Sequence, residues 1–266
     1  MIDSNYNFCF STLALGEKYR GLARELIGDL EKYCPAVSLY IYTDDPQSFS
    51  GKYGIKIFGF KHRKKGILHC YHDKRFVIEK ALVDFATVIH IDADSRIVNP
   101  VEAIAFPPGI TGNHENLIEH VTRNNPQQLK YMQQLADKLD LDLEKVDWIG
   151  ESAFVVRRDF GKEIEFVKTW GEIGTYLELH GIHSGSGNAI GLAAAKVGWQ
   201  VNRDENWQKL TQAIQNLDTS RKNSSPPLFE NFKQRLDYYY RLNATRLTAA
   251  IEDFDFYYGS NTNDSE

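Results

Sequence analysis

The stretch Thr87-Val-Ile-His-Ile-Asp92-Ala-Asp94-Ser-Arg96 decides the fold class. Its first five residues form an apolar, branched run too short for a helix, as expected of a central strand buried on both faces. Two aspartates follow where such a strand runs out into loop. In an open parallel sheet, ligands collect at the carboxyl ends of the strands, so Asp92 and Asp94 can turn onto one point there. Together they offer hard oxygen ligands to Mg²⁺ or Mn²⁺, ions that bind through one or two carboxylates plus substrate phosphates. Such a cation neutralises a diphosphate leaving group as its bond to carbon breaks.

Spacing alone does not carry this reading. Asp140-Leu-Asp142 and Asp253-Phe-Asp255 repeat the tripeptide without a preceding apolar strand. In helical surroundings they read as capping or solvated acids.

Upstream of the motif, strand and helix signals alternate. Tyr6–Leu13 and Val37–Thr43 read as buried strands, the second stopped by Asp44-Asp45-Pro46. Between them Glu17–Tyr33 carries Leu22, Leu26, Leu30 and Tyr33 at helical spacing. Ile55–Phe60 predicts a third strand, and Asp73–Phe85, with Ile78, Ala81, Leu82 and Phe85 on one face, a helix. This alternation predicts an α/β sandwich with a mainly parallel sheet. Downstream, Pro107-Pro108-Gly109 marks a turn, Pro126–Leu139 an amphipathic helix, and Asp147–Arg157 a strand pair or an edge strand. A helical period returns over Phe160–Leu179. Gly181–Gly187 reads as a loop, Asn188–Val197 as a small-residue helix, and Ser224-Ser-Pro-Pro227 as a linker. Phe229–Phe254 reads as one or two aromatic helices before a polar tail over 259–266.

The charge balance narrows the partners. With 31 basic and 36 acidic side chains the chain carries −5 at pH 7, which excludes a generally basic nucleic-acid binder. It does not exclude an anionic ligand held through a local cation. No stretch approaches the roughly 18 apolar residues of a transmembrane span, and Met1–Tyr6 lacks the basic, then apolar, start of a signal peptide. Cys9, Cys34 and Cys70 form no C-x-x-C pair and read as reduced thiols. A cytoplasmic protein is expected.

Asp73-Lys-Arg-Phe-Val-Ile-Glu-Lys-Ala-Leu82 followed by Thr87–Asp94 resembles the D-x-D region of GT-A fold glycosyltransferases. There a helix with a basic residue leads into an apolar strand ending in D-x-D. Phe8–Leu13 and the strand ending Tyr42-Thr43-Asp44 are similar to the nucleotide-binding half of that family. The likeness covers residues 6–100 and continues more loosely to about Val201. It implies a GT-A-like, Rossmann-type α/β/α sandwich over 1–223, with a nucleotide-binding half (1–100) and an acceptor half (101–223). A C-terminal helical extension over 224–258 lies outside the likeness.

The resemblance implies a nucleotide-sugar donor, most simply UDP-linked, a hydroxyl acceptor such as a carbohydrate, and Mn²⁺ or Mg²⁺ on Asp92 and Asp94. Ser11 and Thr12 would meet the nucleoside, or else cap the following helix. Asp44 would meet the base, or else serve its turn. Lys74 would reach the donor phosphates or sugar, or else be a solvated helix charge. Glu151 in Gly150-Glu-Ser-Ala-Phe154 would bind acceptor hydroxyls or act as a base, or be an edge-strand charge. His114 would touch a sugar or be structural. His183 would contact the donor or complete the metal shell. Retaining members akin to the blood-group transferases follow this histidine closely with an acidic pair. Here Ser184 and Gly185 stand instead, so a protein nucleophile from this loop is unsupported.

Other readings compete. A haloacid-dehalogenase phosphatase also places D-x-D after an apolar strand, but near its start and with Thr or Val where this chain has Arg96. Gly185–Gly191 has the glycines of a dinucleotide loop but no buried strand before it. Phe60–Lys65 is a basic run that reads as a solvated loop or a cover for the diphosphate. Tyr238-Tyr-Tyr240 and Phe254–Tyr258 could stack on a sugar, pack internally, or form a homodimer surface. A sugar- or nucleotide-binding scaffold on the same fold is the non-enzymatic alternative.

Overall fold

The computed structural model describes residues 7–101, 104–217 and 228–259. The expected linker at 224–227, Tyr6 at the start of the expected first strand, and the tail from 260 lie outside the described residues. The strands are β1 (Phe8–Ala14), β2 (Ser38–Thr43), β3 (Lys56–Lys61), β4 (Thr87–Ile91), β5 (Ser95–Ile97), β6 (Gly109–Asn116), β7 (Asp147–Arg157) and β8 (Ile214–Asn216). The helices are α1 (Glu17–Tyr33), α2 (Lys74–Asp84), α3 (Leu117–Asn124), α4 (Leu129–Leu139), α5 (Lys162–Leu179), α6 (Ser186–Lys196), α7 (Glu205–Ala213), α8 (Leu228–Glu252) and α9 (Phe254–Tyr258).

Six strands form one sheet in the order β3-β2-β1-β4-β7-β6, while β5 and β8 pair separately. β1 runs parallel to β2 and β4, and β2 to β3, whereas β7 runs antiparallel to both β4 and β6. The chain therefore moves outward from β1 to β3, then returns to β1's other side with β4. The carboxyl ends of β1 and β4 flank a topological switch point, the place where open α/β sheets bind ligands.

Alternation along the strands sets the two cores. Phe8, Phe10, Leu39, Ile41, Ile89 and Ile91 meet Ala23, Leu26, Ile27 and Leu30 of α1 on one face. Cys9, Tyr40 and Val88 meet Val77, Ile78, Ala81 and Leu82 of α2 on the other, a cluster that extends through α5 and α6. β4 is buried along its whole length. An α/β sandwich is thus observed, with a six-stranded, mostly parallel sheet flanked by helices.

Asp147–Arg157 differs from expectation. It is a single strand, and it lies inside the sheet rather than at an edge. Its outer neighbour is β6, whose Gly-Ile-Thr-Gly-Asn start hides the strand signal because glycine and polar residues are depleted in strands. Asp140 ends α4 in the left-handed conformation, Asp142 accepts from the Glu144 N–H, and Asp253 accepts from the Phe256 N–H at the start of α9. These are the capping roles their surroundings predict. Among the described residues no helix is long and apolar enough to cross a membrane. Cys9, Cys34 and Cys70 are free thiols.

Candidate functional site

The turn leaving β4 is pinned from two sides. The Asp92 N–H donates to Ser152 O at 2.9 Å, and the Leu217 N–H donates to Asp94 O at 3.1 Å. Asp92 can therefore present its carboxylate to α2, whose first residue is Lys74. That residue is only 5% exposed, because Val77 and Ile78 one turn on lock the helix onto the sheet. Lys74 Nζ lies 2.7 Å from Asp92 Oδ1 and donates to Glu151 O at 3.0 Å. Burial pulls the ammonium pKa down, but the charges of Asp92 and Glu151 more than offset it, so Lys74 is raised above its ordinary value. Burial likewise pushes Asp92 up, and Lys74, with help from His90, brings it below the ordinary carboxylate range. Both stay charged.

His90 lies beneath the pair. Register sets it beside Ser11 across β1 and β4, and Ser11 Oγ sits 3.1 Å from its Nδ1. Burial, with Lys74 nearby, keeps the imidazole pKa low despite Asp92. Its buried Nε2 has no hydrogen-bond partner and stands 3.8 Å from Asp92 Oδ1. Thr12 Oγ1 is also buried and without a partner.

Glu151 lies on β7, and its carboxylate accepts from Ser186 Oγ and, at 3.2 Å, from the Gly187 N–H. It thus sits on the N-terminus of α6, where an anion is favoured. The close approach needs glycine. A Cβ on Gly187 would lie 2.3 Å from Ile149 O, and one on Gly191 1.7 Å from Asp147 O. These glycines seat α6 on β7. The element before their loop is helix α5, so the dinucleotide reading lacks its strand.

Other expected residues are placed differently. Asp44 accepts from Arg20 through both oxygens, at 2.7 and 2.6 Å, and from the Gly16 N–H at 3.0 Å. It ties the end of β2 to the start of α1. His114 lies 3.3 Å from Asp147 Oδ2. His183 meets Tyr238 of α8, with Nε2 3.4 Å from the hydroxyl, and its buried Nδ1 has no partner. The basic run folds onto its own loop: Lys64 donates to Leu68 O, and His62 and the Lys65 N–H meet Asp73.

Two tyrosines that the sequence did not single out join the site. Burial and then the charge of Asp94 push up the Tyr19 phenol, while burial and then Glu151 push up Tyr71. Tyr71 stands three residues before Lys74, the one signal that could have found it.

Asp92 and Asp94 supply hard oxygens suited to Mg²⁺ or Mn²⁺. Lys74 occupies one Asp92 oxygen, and among the described residues no group of three His, Cys, Asp or Glu side chains could hold a metal. His183 therefore does not complete a three-ligand shell with them. The donor set fits such an ion only together with a phosphate-bearing ligand. No protein-family model matches the chain, and no curated protein matches its sequence.

Proposed function

We propose that the chain is a GT-A-type glycosyltransferase that moves a sugar from a nucleotide-diphosphate donor, UDP-linked, to a hydroxyl acceptor. Convergence of Asp92, Lys74 and Glu151 at the β1–β4 switch point carries this reading. The nucleoside would lie over the ends of β1 and β2, above Thr12, which is fully buried within β1 and whose hydroxyl lacks an internal partner. Ser11 and Asp44 flank that place, each already bonded within the protein. An ammonium has three donors. Asp92 and Glu151 O take two, leaving one for a donor oxygen. Asp92 and Asp94 would hold Mn²⁺ or Mg²⁺, which neutralises charge on the departing diphosphate when bound. Glu151 and His183 would flank the reacting centre. Glu151 must release Ser186 to serve as a base.

Calorimetry with UDP and GDP, with and without Mn²⁺, tests the reading on the wild type and Asp94→Asn. Metal-dependent UDP binding that the variant loses is the expected result, followed by UDP release from a UDP-sugar. Indifference to every nucleotide would sink it. Metal-dependent binding without turnover would favour the binding scaffold. Phosphate release from simple phosphomonoesters would move the assignment to a phosphatase.

A further inference from the structure

α8 has two apolar faces and uses one. Leu242 and Ala249 are buried, and the helix packs against α5. Tyr238, on the same side, reaches His183, and Arg241 reaches the carbonyls of Lys64 and Gly66. On the opposite side Leu236, Tyr240, Leu247 and Ile251, with Phe254 just beyond, are 57–75% exposed. At 3.6 residues per turn the first four fall within about 60° of one another, a straight stripe along the helix. Monomeric proteins rarely leave so long an apolar band in water.

We propose that this stripe is a self-association face, on which a second copy of the chain docks its own α8 about a two-fold axis. A two-fold contact uses one patch twice. Covering these five side chains would bury on the order of 700 Å² per copy, close to a standard interface. The segments that adjoin α8 and α9 in sequence offer little apolar surface of their own. Residues 218–227 (Asp-Thr-Ser-Arg-Lys-Asn-Ser-Ser-Pro-Pro) and 260–266 (Ser-Asn-Thr-Asn-Asp-Ser-Glu) carry no apolar side chain larger than proline. Charge argues against a lipid surface or nucleic acid. Residues 228–258 hold five acidic and four basic side chains, in a chain of −5 overall, whereas anionic membranes select basic helices.

Of the aromatics flagged in the sequence, the structure assigns Tyr240 to this face and leaves Phe254 exposed just beyond α8. It turns Tyr238 inward to His183 and buries Tyr257.

Sedimentation equilibrium of the full chain tests the proposal. The wild type at ~50 µM is expected at twice the 30.5 kDa chain mass. Leu247→Asp with Ile251→Asp is expected at the single-chain mass with unchanged far-UV circular dichroism. Val83→Asp, which alters an exposed apolar residue of α2, is expected to stay dimeric. Should the double variant melt early, Leu247→Gln alone is expected to weaken the dimer about tenfold. A monomeric wild type, a dimer that survives the double variant, or an unchanged constant in Leu247→Gln overturns it. So does a monomer that floats with phosphatidylcholine vesicles, which would assign the stripe to a lipid surface.

Discussion

Asp92 and Asp94 leave a strand buried along its whole length, whereas Asp253 and Asp255 stand exposed where α8 gives way to α9. The spacing is identical, but the surroundings differ. Asp92, itself 28% exposed, meets the buried Lys74 ammonium at 2.7 Å. Asp253 meets the Phe256 N–H at 3.0 Å and is otherwise exposed. A buried charge must have a specific partner, and an exposed one need only finish a helix end. The tripeptide therefore acquires its role from the element that delivers it.

Substitution at each region should separate the two roles. Asp92→Asn leaves the buried Lys74 without its counter-charge and is expected to cost about 2–4 kcal/mol, read from urea unfolding at neutral pH. Adding Lys74→Met should return part of that loss, whereas a cost near zero would break the comparison. Because Asp92 titrates below its unfolded value of 3.8, its contribution is present above about pH 4 and lost as pH falls through the folded value. Asp92→Asn should therefore flatten stability loss below pH 4.

Glu178 sharpens the contrast as a carboxyl whose nearby cations do not offset its burial. It accepts from the Ile67 N–H at 3.0 Å, and burial is the main reason its pKa is raised to about 7. The fold favours its neutral form, so its contribution is full below the unfolded value of 4.5 and lost as pH rises toward 7. Glu178→Gln keeps an acceptor and should gain about 1–3 kcal/mol at pH 8 and nothing near pH 4.5. Thermal melts at the two pH values decide it.

Asp253→Ala should cost about 1 kcal/mol, the usual worth of an N-cap, with helicity lost at α9 rather than globally. The smallest effect is expected at Asp140, whose φ is +55°. Asp140→Gly should change stability by only a few tenths of a kcal/mol, toward the stable side.

Legibility followed the strength of local patterns. α1 reads from Leu22, Leu26, Leu30 and Tyr33 at helical spacing, and β4 from an unbroken apolar run. β6, α3 and α7 gave no such pattern. In α7 the buried residues are Trp207, Leu210 and Ala213, too few to mark a face. At the site, Lys74 was visible because it opens the helix before the motif. Its pairing with Asp92 and the Glu151 carbonyl was not, since these partners lie 18 and 77 positions away. Tyr19 and Tyr71 carried no motif at all.

The sequence by itself determined the alternating architecture, the buried β4 and the place where two aspartates leave it. Short-range periodicity suffices for that, because side chains three, four or two positions apart share a face. Only the tertiary structure decided that β7 lies inside the sheet, that Glu151 rests on α6, and that Asp92 is neutralised by Lys74. Those are contacts between distant segments, and no local pattern encodes which buried charge meets which partner.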